Sequence, residues 1–116
     1  MYSLSEIIKE KGISKYYNLE DLGAIAPVVP KDEAIEIINF LRDDFCSIIN
    51  ITVYKYKDNK FSLYYAWLDL EKEENENPYA FLQRSCNESI KYIQDLSERN
   101  PNDYQLFEIT YQTMPV

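Results

Sequence analysis

SIINITVYKYKDNKFSLYYAWL, Ser47 to Leu68, is the stretch on which the fold turns. β-Branched and aromatic residues dominate on both sides of Asp58-Asn59, and neither glycine nor proline interrupts them. That composition predicts two antiparallel strands, Ser47–Lys57 and Phe61–Leu68, joined as a hairpin. A two-residue turn sets Lys57 opposite Lys60. The period of two then puts Ile49, Ile51, Val53, Tyr64, Ala66 and Leu68 on one face, and Thr52, Tyr54, Tyr56, Phe61, Leu63, Tyr65 and Trp67 on the other.

The aliphatic face is the expected core. For the aromatic face two readings stand side by side. Tyrosine and tryptophan bring large contact area with few torsions to freeze, which suits an interface. Equally, the N-terminal segment or the last strand would cover it, and a one-residue slip in register would exchange the two faces.

Outward from the hairpin, Lys31–Asp44 predicts a helix with Ala34, Ile35, Ile38 and Leu41 along one stripe and Asp32 and Glu33 in its first turn, where the helix dipole favours anions. Asp43 and Asp44 fall in the last turn, where negative charge is unfavourable by roughly 0.3–1 kcal/mol. They are either chance surface charge or charge placed for a partner. Asn77-Pro78 caps a third helix reaching about Leu96, striped by Tyr79, Leu82, Cys86, Ile90 and Ile93. Tyr104–Thr113 alternates as a final strand. At the other end, Leu4–Lys11 reads as a short helix with Ser3 or Ser5 as cap and Gly12 as stop, followed by an irregular connection, Ile13–Pro30, pinned over the core. The order is α-α-β-β-α-β. It predicts an α+β fold in one domain, residues 1–116, with helices packed mainly on one face of a small antiparallel sheet. Which hairpin strand the last strand joins is left open.

Composition narrows the function. The 116 residues include no histidine, 2 glycines and 11 tyrosines, and 12 Lys and Arg stand against 20 Asp and Glu, a formal charge of −8. Without imidazole, Ser85 and Cys86 have no histidine to activate them, and a zinc site lacks its commonest ligand. The acidic balance argues against nucleic acid, whose affinity comes from Lys and Arg displacing counterions. Cys46 and Cys86, read at the end of one helix and the middle of another, have no metal or redox spacing and are expected to be buried free thiols. Met1–Glu10 lacks the pattern of a leader, and no apolar run is long enough to span a bilayer. The expectation is a cytoplasmic chain without cofactor, metal, membrane partner or catalytic activity.

The charge is uneven. Asp69–Asn77 holds five acids and one base, a net −4, which is half the total of −8 in nine positions. It lacks the alternating ligands and central glycine of a calcium-binding loop. A solvated loop and a docking patch for a basic protein remain. A carboxylate-pair enzyme built on Asp69, Glu71, Glu73 or Glu74 would need a sugar-sized cleft, for which the sequence offers no sign.

Several motifs in order, Lys11-Gly12-Ile13-Ser14, Lys31-Asp-Glu-Ala-Ile35, Thr52-Val53-Tyr54, Ala66-Trp67-Leu68-Asp69, Arg84-Ser85 and Tyr92-Ile93, resemble the immunity protein 40 family of bacterial polymorphic-toxin and contact-dependent growth inhibition systems. The resemblance implies an inhibitor that binds a cognate toxin, often a nuclease with a basic cleft. The candidate contact set is Asp69, Glu71, Glu73, Glu74 and Glu76, with Asp43, Asp44, Tyr54, Tyr56 and Tyr65. An acidic adaptor domain with no toxin partner is the rival reading.

Overall fold

The structure, a computed structural model, describes residues 3–113. Met1 and Tyr2, where the leader reading begins, lie outside that range, as do residues 114–116. Three helices, α1 (Leu4–Glu10), α2 (Lys31–Asp43) and α3 (Pro78–Arg99), accompany strands β1 (Cys46–Lys57), β2 (Lys60–Asp69) and β3 (Tyr104–Thr113). Two helix starts follow their capping residues. The Ser3 hydroxyl accepts the Glu6 amide at 3.2 Å, and the Asn77 side-chain oxygen accepts the Ala80 amide at 2.8 Å ahead of Pro78.

The strands form an antiparallel sheet in the order β2-β1-β3, so the first hairpin strand is central and the last strand pairs with it. Asp58 and Asn59 both take positive φ, the backbone that a two-residue turn with the right twist requires. Register runs as the turn dictates from Lys57↔Lys60 to Tyr54↔Leu63, then jumps: Thr52 stands opposite Trp67, so Tyr64, Tyr65 and Ala66 face Val53 alone. The two extra residues are an even number, so the faces survive and Tyr64, Ala66 and Leu68 still pack toward the core.

A second irregularity changes a face. Between Ile48↔Tyr111 and Asn50↔Thr110 the central strand carries one extra residue, Ile49. Ile48, not Ile49, is therefore the side chain buried in the core. Cys46 begins β1 rather than ending a helix, because Phe45 at φ 56° turns the chain out of α2. Tyr79 is exposed; the buried stripe of α3 is Phe81, Leu82, Ser85, Cys86, Ser89, Ile93 and Leu96. On α2 the stripe takes Ile37 in place of Ile35, which is half-buried. Both thiols are free and buried.

One face of the sheet, with Ile48, Ile51, Val53, Phe107 and Ile109, packs against all three helices. The opposite face is only half covered. Its cover is the irregular segment: Tyr17 and Val28 exchange backbone hydrogen bonds of 2.9 Å, Val29 bridges Phe107, and Gly23 at φ 91° closes the short turn Glu20–Leu22. Leu19, Ala24 and Val28 bury Tyr54 and Leu106 beneath them.

Candidate partner-binding surface

The acidic loop leaves β2 at Asp69 and enters α3 at Asn77. Leu70 anchors its start, buried and donating its amide to the Ile49 carbonyl at 3.0 Å. The centre is organised by Arg84 of α3. Its Nε and Nη2 each lie 2.8 Å from a carboxylate oxygen of Glu76, and Nη2 also donates to the Glu71 carbonyl at 2.8 Å. A fork of this kind is the strong form of ion pair. The Arg84 guanidinium holds the Glu76 carboxyl down at about 2, and Glu76 in turn raises Arg84. Glu76 accepts the Glu73 amide at 3.1 Å, while Lys72 donates to the Glu73 and Glu76 carbonyls. Glu76 is therefore occupied inside the loop. Glu71, Glu73 and Glu74 are left exposed, held in a defined arc.

That clamp gives a pH window. A carboxyl whose folded value is depressed stabilises above its ordinary value and loses that contribution as pH falls through the folded one. For Glu76 the window runs from 4.5 down to about 2. Arg84→Ala should abolish the clamp at neutral pH, so that amides 71–77 exchange like an unfolded peptide while α3 and the sheet keep their protection. Unchanged exchange in the loop would show that Arg84 does not order it.

Asp69 ends β2 and is fixed from the sheet. The Asn50 side-chain amide donates to its carboxylate at 2.6 Å, and Thr52 Oγ1 donates to Asn50 at 2.8 Å. Asp43 and Asp44 lie at the same end of the sheet, just before Cys46, and are exposed. They share a recess of about 370 Å³ with Glu10, Lys11 and Phe40, where the Lys11 ammonium stands 5.0 Å from the Phe40 ring.

The structure separates the tyrosines. Tyr54 is buried under the irregular segment, its hydroxyl donating to Glu108 at 3.3 Å and pushed up to about 12 by burial and that carboxylate. It is not a surface residue. Tyr56 lies near the hairpin tip against Phe61, bonded to Asn59. Tyr65 projects on the uncovered half of the open face. Two side chains on that face belong beside it although the candidate set omits them: Leu63 and Trp67. A third, Ile25, is 97 % exposed at the border of the covering segment. The alternation marks Leu63 and Trp67; no local pattern marks Ile25.

Among the described residues, no helix is long and apolar enough to cross a membrane, and no group of three or more Cys, Asp or Glu is arranged to hold a metal ion. No curated protein and no solved structure matches the chain. The family model described as Immunity protein 40 matches residues 18–111, which takes in most of the irregular segment, α2, the whole sheet but for its last residues, the acidic loop and α3. The chain belongs to the Immunity protein 40 family.

Proposed function

We propose that this immunity protein neutralises a basic toxin domain in the cytoplasm by docking on it, with Asp69, Glu71, Glu73 and Glu74 meeting its cationic surface and Tyr65 contacting it from the open face of β2. Asp43 and Asp44 extend the acidic edge. The observation that carries this reading is the Arg84 clamp: one cation of α3 gathers the loop so that three exposed carboxylates are presented as a fixed cluster instead of a mobile tail. Fixed charge adds specificity as well as speed of encounter. A toxin with a nucleic-acid-binding cleft is the natural target, because such a cleft is positive and an acidic obstacle excludes its substrate.

The test begins with the products of the genes flanking this one, screened for a toxin domain by co-expression and co-purification with the chain. The double substitution Glu73→Lys, Glu74→Lys changes the formal charge from −8 to −4. It should slow association at least tenfold at low salt, with the deficit shrinking as salt rises toward screening of exposed charges. Wild-type association and wild-type protection of cells in that variant would remove the loop from the interface.

A further inference from the structure

The uncovered half of the sheet is built around one row of paired residues. Glu108 of β3 stands opposite Thr52 of β1, and Thr52 opposite Trp67 of β2. Ile25 is held at one end of this row: the Glu108 carboxylate accepts the Ile25 amide at 2.8 Å and the Ala26 amide at 3.0 Å, and Tyr54 buttresses it from below. A carboxylate buried in this way fixes a fully exposed isoleucine in place. At the other end Trp67 is 61 % exposed, flanked by Leu63 and by Tyr65, which is 84 % exposed. Adjacent strands lie about 5 Å apart, so Glu108, which holds Ile25, and Trp67 are about 10 Å apart across the sheet, within reach of a single partner element.

Backbone strain lies here as well. Tyr65 has φ 60°, a conformation that is costly for a bulky side chain and that its exposed ring does not repay within the monomer. The same bulge breaks the regular row of donors and acceptors along the outer edge of β2, so an incoming strand finds no continuous edge to extend. Contact with this region is through side chains on its face.

We propose that Ile25, Leu63, Tyr65 and Trp67 form the energetic centre of the partner contact, with the acidic loop as its charged rim, and that the occupant is a protein element with an apolar ridge bordered by lysine or arginine. The charge of the rim selects that chemistry: Asp69, held by Asn50, continues the strip directly into the loop of net −4. A second copy of this chain would bring two such acidic rims together. The proposal rests on the reading of the protein as an inhibitor that binds, and adds where the affinity resides.

The probe is the same toxin domain, titrated against the full chain. Trp67 is the chain's one tryptophan, so replacing it with 7-azatryptophan, which is excited to the red of any tryptophan in the partner, makes its emission report this face alone. Complex formation should shift it to the blue. Trp67→Ala and Ile25→Ala should each weaken Kd at least tenfold with unchanged thermal unfolding, while Tyr16→Ala, an exposed aromatic beside Ser5 and Lys9 of α1, stays within twofold. Tyr65→Gly, which suits the backbone at that position, should hold or raise thermal stability while weakening binding. If the complex forms but Trp67 emission is static and these variants bind like wild type, the partner sits elsewhere; the proposal falls and the inhibitor reading stands. Self-association of the free chain that Trp67→Ala abolishes would overturn it by making the occupant a second copy. A wild-type chain that does not bind the domain sinks both readings.

Discussion

Glu108→Ala should lower the unfolding free energy by about 2–4 kcal/mol, because it removes the acceptor for two backbone amides and the partner of the buried Tyr54 hydroxyl. Hydrogen bonds to a charged group are worth about 1.5–3 kcal/mol each, and a buried donor left without an acceptor costs about 1–3 kcal/mol. The Ile25 amide is the one most easily rehydrated, which keeps the expected loss below a simple sum. Glu108→Gln retains an acceptor oxygen and the shape of the side chain, so about half the effect should return. Denaturant unfolding measures both, and amide exchange supplies the local readout: residues 24–26 should lose protection in the alanine variant while α3 keeps its own until global unfolding. An alanine variant as stable as wild type would mean that the carboxylate is not holding the segment.

Phe107→Ala is expected to be more damaging, about 3–5 kcal/mol, the range for a large aromatic removed from a fully buried site. Phe107 pairs with Val53 in the sheet and exchanges backbone hydrogen bonds of 3.0 and 2.7 Å with Val29, so the cavity opens where the main core and the covering segment meet. A domain of this size is commonly stable by only about 5–15 kcal/mol, and so a large part of the total is at stake. Thermal and denaturant midpoints should fall together. A loss under about 1 kcal/mol would show that the site collapses around the missing ring.

The parts of the fold that local chemistry decides were legible beforehand. Asp58-Asn59 defined the hairpin, Asn77-Pro78 the start of α3, Ser3 or Ser5 a helix cap, and alternation the three strands. What escaped was set by pairing at long range. The extra Ile49 and the Tyr64–Ala66 bulge have no composition of their own, since an inserted residue within a β-rich run looks like more strand. The first moved Ile48 into the core in place of Ile49; the second left the faces intact only because its length is even.

The candidate surface was legible in the same uneven way. Its charge could be counted, and Asp69, Glu71, Glu73 and Glu74 are indeed exposed. Glu76 could not be told apart from them, because its partner Arg84 arrives from the next helical turn but one. Tyr54 looked equivalent to Tyr65 on the same face of the hairpin, yet a segment with no regular periodicity covers one and leaves the other bare. Nothing in the alternation of the last strand marks Glu108 as the buried anchor of that segment.

The half-covered sheet also bears on how such a protein can change. Ile25, Leu63, Tyr65, Trp67 and the exposed acids of the loop touch the main core little, and substitutions at exposed sites usually alter stability by no more than about 0.5 kcal/mol. On the proposed binding mode, affinity and folding draw on largely separate residues whose effects should add. A descendant facing an altered adversary is free to rewrite the open face one residue at a time, with every intermediate still folded.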